Sequence, residues 1–255
     1  MPTSQHVYTQ QTQFWSTERA YVLGDIARAA GHRLFAAQPG EVVLDAGCGA
    51  GLETIKLART GARACGCDLS HEMIDAARNK SLQEKQDISF DVANIAEHLP
   101  YADAVFDGIF CNAVLIHDSP DECQRFIAEA ARVMSKGGRL LISVMHPYLY
   151  QEGSPNRLNQ ASWAQYTPLE ANPDLTQSCQ FQEIYRNSAG KEFVSDVWYH
   201  PEPMFRAMML QNGFCPVHEQ NLCVTPEALS LANASGPYGY PAFYQIMATK
   251  LCDME

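Results

Sequence analysis

Between residues 41 and 145, short apolar runs of strand length alternate with stretches where apolar side chains recur every three or four positions. Glu41–Asp45, Ala62–Asp68, Ile88–Val92, Phe106–Asn112 and Arg139–Met145 read as five strands. Helices fall between them. Leu52–Thr60 carries Leu52, Ile55 and Ala58 on one face, and Gly61 stands where a C-terminal cap belongs. Ser70 can cap a helix through Met73, Ile74 and Ala77. Ser119-Pro120-Asp121-Glu122 joins a capping box to a proline at the first helical position. That helix runs past Phe126, Ile127, Ala130 and Val133 and is expected to stop at Lys136-Gly137-Gly138. Upstream, Tyr21, Val22, Asp25, Ile26, Ala29 and Ala30 give Phe14–Phe35 helical spacing, which predicts a helical arm within residues 1–38.

Strand and helix in alternation predict an α/β fold: a doubly wound, mostly parallel sheet with helices on both faces. Residues 147–200 break the rhythm, being rich in Pro, Asn, Gln and Tyr. Within them Gln180–Arg186 and Glu192–His200 predict a hairpin across Asn187–Gly190. A helix over Met204–Asn212 and closing strands over 217–224 and 242–250 bring the expected sheet to seven strands. The expectation is one domain over 1–255, with 147–200 inserted after the fifth strand as a lid.

Charge narrows the partners. With 18 Lys+Arg against 29 Asp+Glu the net charge is −11, and no basic run occurs. Nucleic-acid binding rests on cations neutralising phosphates, so no nucleic-acid partner is expected. No run approaches the roughly 18 apolar residues of a membrane span, and the polar start lacks the pattern of a signal peptide. Nine cysteines, an odd number in a chain too long to need stapling, point to reduced thiols and a cytoplasmic setting. Cys65-Gly-Cys67 has no companion pair to complete a zinc set, so no metal is expected. Cys48, Cys65, Cys67 and Cys111 lie in apolar segments and read as packing residues.

The chemistry concentrates at Val43-Leu44-Asp45-Ala46-Gly47-Cys48-Gly49-Ala50-Gly51, a glycine-rich turn between a strand and a helix. Such a turn brings backbone N–H groups up to a ligand. A dinucleotide site wants G-x-G-x-x-G, and the residue in the completing position is Leu52. Asp68 ends the second strand 23 residues after Asp45, where a carboxylate can accept from both hydroxyls of a ribose.

These stretches resemble the class I S-adenosylmethionine-dependent methyltransferases, closely over residues 8–145 and more loosely beyond. Leu44–Gly51 looks like the motif holding the amino-acid end of the cofactor, and Gly66–Ile74 like the motif whose Asp binds the ribose. Asn94–Pro100 resembles the adenine motif, with Asn94 where Asp is usual, and the Ile95 N–H then faces the adenine ring. Phe106–His117 and Arg132–Gly138 resemble the fourth-strand motif and the approach to the fifth strand. The resemblance implies a Rossmann-like fold that binds S-adenosyl-L-methionine and releases S-adenosyl-L-homocysteine. Its implied cofactor residues are Asp45, Gly47, Cys48, Gly49, Asp68, Leu69, Met73, Asn94, Ile95 and Cys111, with Arg19 closing from the N-terminal arm beside Tyr8 and Trp15.

The acceptor is less legible. His146 follows the fifth strand directly, where ligands of parallel sheets sit, and is the candidate general base or orienting group. His117 and His200 are weaker candidates. The insertion's Tyr148, Tyr150, Trp163, Tyr166, Tyr185, Trp198 and Tyr199 can line an apolar acceptor pocket or form the insertion's own core. A small-molecule methyl acceptor is the expectation, with O-, N- and C-methylation open. A non-catalytic S-adenosylmethionine-binding protein and an NAD(P)-dependent oxidoreductase remain alternatives.

Overall fold

Adjacent strand residues point to opposite faces, and here each face finds its own helices. Val43, Phe110 and Leu141 pack with Phe35 and Leu57 on one side. Their neighbours Leu44, Ile109 and Ile142 pack on the other with Cys123, Phe126, Ile127 and Ala130. Strands buried on both faces need continuous apolar runs rather than alternation, which is how residues 42–46, 106–112 and 140–145 read.

The computed structural model describes residues 24–157, 164–186, 192–231 and 236–251. Its order is α1 (Gly24–Phe35), β1 (Val42–Ala46), α2 (Leu52–Ala58), β2 (Arg63–Asp68), α3 (His71–Gln83), β3 (Ser89–Val92), β4 (Phe106–Asn112), α4 (Pro120–Val133) and β5 (Met134–Met145). Then follow β6 (Ala164–Pro168), β7 (Cys179–Arg186), β8 (Glu192–Tyr199), α5 (Glu202–Gln211), β9 (Phe214–Cys223), α6 (Pro226–Leu231) and β10 (Pro241–Lys250). Single 3-10 turns lie at Leu115–His117 and Pro147–Tyr150.

Seven strands form the central sheet in the order β3-β2-β1-β4-β5-β10-β9. The first five are parallel, and β10 runs antiparallel to both β5 and β9. The predicted seven-stranded, mostly parallel architecture is present. The order reverses between β1 and β4, so the strand ends there open a crevice.

Three local differences have physical causes. Helix α4 stops at Val133, short of the glycines, because Met134 is already extended (ψ 139°). A Cβ on Gly138 would lie 2.6 Å from Met134 Cγ and 2.9 Å from the Ser135 carbonyl oxygen, and Gly137 is left-handed (φ 78°), so these glycines serve a tight turn within the strand rather than a helix cap. The insertion holds three strands rather than two: β6-β7-β8, all antiparallel. Strand β6 was hidden by its short, polar sequence, A-Q-Y-T-P. Helix α6 is likewise absent from the periodicity, since six residues are too few to show it.

The insertion sheet is continuous with the main core. Tyr150 meets Tyr166 and Phe181 at 4.6 and 5.0 Å between ring centroids, and Tyr199 at 5.4 Å. His200, just beyond β8, ties this sheet to the turn after β4: its Nε2 lies 3.2 Å from the Leu115 carbonyl and 3.0 Å from that of Asp118. Facing two acceptors, Nε2 must carry the proton, so Nδ1 accepts from Ser178 Oγ at 2.9 Å. Burial holds this imidazole neutral, with its pKa pulled down to about 4.

Candidate active site

The turn after β1 is shaped by three left-handed glycines, Gly47 (φ 74°), Gly49 (φ 51°) and Gly51 (φ 76°). The Gly47 and Cys48 amides both donate to the Cys67 carbonyl (2.8 and 2.9 Å), and the Gly49 amide donates to Asp68 Oδ2 at 2.9 Å. Three amides expected to face a ligand are therefore committed to β2, and they fix the turn against the second strand. A Cβ on Gly49 would meet nothing within 4 Å among the described residues, so the turn is open there on their side. A Cβ on Gly47 would lie 2.4 Å from Val114 Cγ2, so the turn after β4 lies directly against the glycine turn.

Two carboxylates stand at these strand ends. Asp45 is buried, and its Oδ2 accepts from Thr54 Oγ1 at 2.6 Å, which orders the start of α2. Burial pushes its pKa up to about 7, with Glu53 and Asp68 adding to the effect. Burial also raises Asp68, while the Ser70 and Gly49 amides oppose the shift. Ser70 N donates to Asp68 Oδ1 at 3.0 Å, and Ser70 Oγ caps α3 by accepting from the Met73 amide. A carboxylate has about four acceptor positions, so Asp68 keeps capacity for a ligand's hydroxyls.

The remaining predicted cofactor residues border the same end of the sheet. Asn94 is turned on its own loop: Oδ1 accepts from the Ala96 amide at 3.0 Å and Nδ2 donates to Glu97. The Ala93 amide donates to the Asp68 carbonyl, which brings this loop to β2. Leu69 is partly exposed, Met73 and Ile95 are buried, and Cys111 is wholly buried near the end of β4. Burial raises the Cys48 and Cys111 thiols well above the ordinary range, so both are neutral packing groups. Arg19, Tyr8, Trp15 and Trp163 lie outside the described residues.

His146 is buried, and its Nδ1 accepts from the Tyr148 amide at 3.0 Å, capping the turn after β5. The proton then belongs on Nε2, which lies 3.0 Å from Glu202 Oε1 without the alignment of a hydrogen bond. Burial lowers its pKa to about 4, so the ring is neutral. The structure thus places His146 beside α5 and His200 under the insertion. His117, partly buried in the turn after β4, is also pulled down to about 4 by burial.

The turn after β4, within the stretch Phe106–His117 that resembles the fourth-strand motif, has features that its sequence does not announce. Ala113 is left-handed (φ 59°), a conformation rare for a residue with a Cβ, and its amide donates to the Ser143 carbonyl at 2.7 Å. On either side of it, Asn112 Oδ1 and Asp118 Oδ2 are buried without a hydrogen-bond partner among the described residues. Tyr150 Oη and Asn156 Oδ1, beyond β5, share that condition. Leaving such an atom unsatisfied costs about 1–3 kcal/mol. The signal available in sequence was only polar residues after a buried strand, which is common.

The residues fit the cofactor that the resemblance implies. Open space at Gly49, acceptors at Asp45 and Asp68, and an Ile95 amide with no bond among the described residues suit a nucleoside with a zwitterionic end.

A family profile described as "Methyltransferase domain" matches residues 44–142. Among curated proteins, the chain is 41% identical over 130 residues to methyltransferase GfsG of Streptomyces halstedii, covering 50% of this chain and 42% of that protein. It is 38% identical over 121 residues to demethylmenaquinone methyltransferase of Tropheryma whipplei, covering 47% and 48%. The matched stretch thus spans less than half the length of these relatives. Among solved structures, a SAM-dependent methyltransferase from Methanosarcina mazei superposes with a TM-score of 0.62 at 21% identity, covering 85% of this chain and 95% of that one, and so shares the fold.

Proposed function

We infer that this chain, which carries a class I methyltransferase domain, transfers a methyl group from S-adenosylmethionine to a small molecule. The observation that carries the reading is the pair of strand-end carboxylates, Asp45 and Asp68, locked around an open glycine turn. Asp68 would hold the ribose hydroxyls and the loop at Asn94-Ile95 the adenine. Asp45 would order the turn and face the ammonium. When bound, the cofactor supplies a methyl group made electrophilic by its sulfonium. The protein's part is to align the acceptor with that methyl and exclude water.

The acceptor side is read as the space between the turn after β4 and the insertion over 147–200, which acts as the lid. Support for the lid is the His200 tie and the shared aromatic core. In this reading His146 is an orienting group, because its neutral ring has one nitrogen already accepting from the backbone. A small acceptor agrees with the −11 charge, which disfavours nucleic acid. No helix among the described residues is long and apolar enough to cross a membrane. A cytoplasmic setting is supported by eight unpaired cysteines among the described residues.

The test is methyl transfer from methyl-labelled S-adenosylmethionine to a metabolite library, with Asp68→Ala alongside. Label is expected in a small molecule, and the variant is expected to lose it. Label appearing only in RNA or protein would overturn the acceptor class.

A further inference from the structure

A threonine inside a helix commonly returns its hydroxyl proton to a carbonyl one turn back. Thr54, in α2, spends that proton elsewhere: its Oγ1 donates to Asp45 Oδ2 on β1 at 2.6 Å. The pair is enclosed, with Thr54 0% and Asp45 3% exposed. Two further observations fix the hydroxyl in place. A β-branched side chain in a helix has little freedom about χ1. The preceding residue, Glu53, bolts the start of α2 down: it accepts from Lys56 Nζ at 2.9 Å and lies 3.3 Å from Arg28 Nε and 2.5 Å from His32 Nε2, both on α1.

The surroundings of Asp45 make this one hydroxyl matter. Glu53 on α2 and Asp68 on β2 both act against its charge. The thiols around it, Cys48 in the glycine turn, Cys65 and Cys67 on β2 and Cys111 on β4, are held neutral by burial. The basic groups Arg28, His32 and Lys56 are engaged by Glu53. Against burial and two carboxylates, the hydroxyl and amide of Thr54 are what favours the ionised form. A carboxylate has about four acceptor positions, so one hydroxyl leaves room for a second donor. We propose that Thr54 is a positioning residue for methyl transfer: its hydroxyl holds Asp45 ionised and oriented, so that the free side of the carboxylate takes the ammonium of the cofactor.

This rests on the methyltransferase reading and deepens it. Thr54 acts through Asp45 and touches no ligand itself. Asp45 titrates near 7 with the hydroxyl in place. Without it, burial keeps the carboxyl protonated to higher pH, and a neutral carboxyl attracts an ammonium less. Loss of the hydroxyl therefore weakens binding below neutral pH, where the natural carboxyl is still partly ionised. The loss fades at higher pH, where both forms ionise. A threonine that served packing alone would give a loss independent of pH.

The test titrates the full chain with S-adenosylhomocysteine by calorimetry at pH 6 and pH 8. Thr54→Val keeps the shape and drops the hydroxyl, Thr54→Ala drops it without bulk and serves if Thr54→Val does not fold, and Thr54→Ser keeps it. Thr54→Val and Thr54→Ala are expected to bind about tenfold more weakly than the natural sequence at pH 6, and within about threefold of it at pH 8. Thr54→Ser is expected to follow the natural sequence at both. In an Asp45→Asn background, Thr54→Val is expected to add no pH dependence of its own. An equal loss at both pH values, no loss at either, a Thr54→Ser variant as weak as Thr54→Val, or a pH-dependent loss that persists with Asp45→Asn would each overturn the proposal. Failure of the unaltered chain to bind S-adenosylhomocysteine at either pH would instead overturn the methyltransferase reading.

Discussion

The two halves of the crevice are built on different principles. On the β1–β2 side, backbone geometry does the work: left-handed glycines, amides bonded to Cys67 and Asp68, and two carboxylates at strand ends. On the side facing the insertion, side chains from distant segments make the contacts: His200 bonds the Leu115 and Asp118 carbonyls, and Tyr150 packs on Tyr166, Phe181 and Tyr199. Among the described residues, the first half contributes none of the buried side-chain atoms that lack a hydrogen-bond partner. The second carries unsatisfied polar atoms and a strained residue. A ligand common to a family can be held by fixed backbone geometry, whereas a ligand particular to one protein needs side chains that vary. The contrast predicts that damage to the first half abolishes cofactor binding, while damage to the second spares it.

Gly47→Val should have the largest effect. It adds a Cβ 2.4 Å from Val114 Cγ2 at a φ of 74°, so clash and strain coincide. A loss of about 2–4 kcal/mol in S-adenosylhomocysteine affinity, roughly 30- to 1,000-fold, is expected by calorimetry. Near-normal binding by this variant would break the contrast from the first side.

That part of the site was open to sequence reading because spacing alone encodes it. Glycines at 47, 49 and 51 and an Asp at 68 keep their meaning in one dimension, and the strands between them are apolar throughout. The capping box at Ser119 and Glu122 was legible for the same reason, and the structure shows both of its bonds. The side facing the insertion was less so. The position of His146 just after β5 is legible in sequence, but its Nδ1 bond to Tyr148 depends on a turn that no pattern announces. Asn112 and Asp118 stand out only through what does not bond to them, and that is visible only in three dimensions. Strand β6 escaped because a short strand in a polar insertion takes its place from its partner β7 rather than from its own periodicity.

His200→Ala probes the second half. The ring makes hydrogen bonds at both nitrogens, so its loss should destabilise the fold by about 2–3 kcal/mol in denaturant unfolding. Affinity for S-adenosylhomocysteine should change by less than about threefold. A collapse of cofactor binding here would show that the halves are not separable. Because folding lowers this imidazole's pKa to about 4, its contribution is complete above pH 6.5 and is lost as pH falls from there toward 4.

The smallest effect concerns protons. Asp45 sits near pH 7 because burial disfavours its charge, so in isolation it weakens the fold as pH rises from about 4 to 7. An ammonium brought beside it reverses that preference and drives ionisation. Calorimetry at pH 6.5 in buffers of different ionisation enthalpy should therefore detect release of a fraction of a proton on binding S-adenosylhomocysteine. The release should vanish in Asp45→Asn. Release that persists in the variant would assign the proton elsewhere.

Which adenosine-bearing ligand the crevice holds is the most direct question to put to it. Titrating the unaltered chain with S-adenosylhomocysteine, NAD and NADP in one calorimetric series decides it. A saturable heat with S-adenosylhomocysteine and none with the dinucleotides is the predicted result, since Leu52 stands where a dinucleotide turn needs its third glycine. Saturable binding of NAD or NADP, with none of S-adenosylhomocysteine, would contradict it.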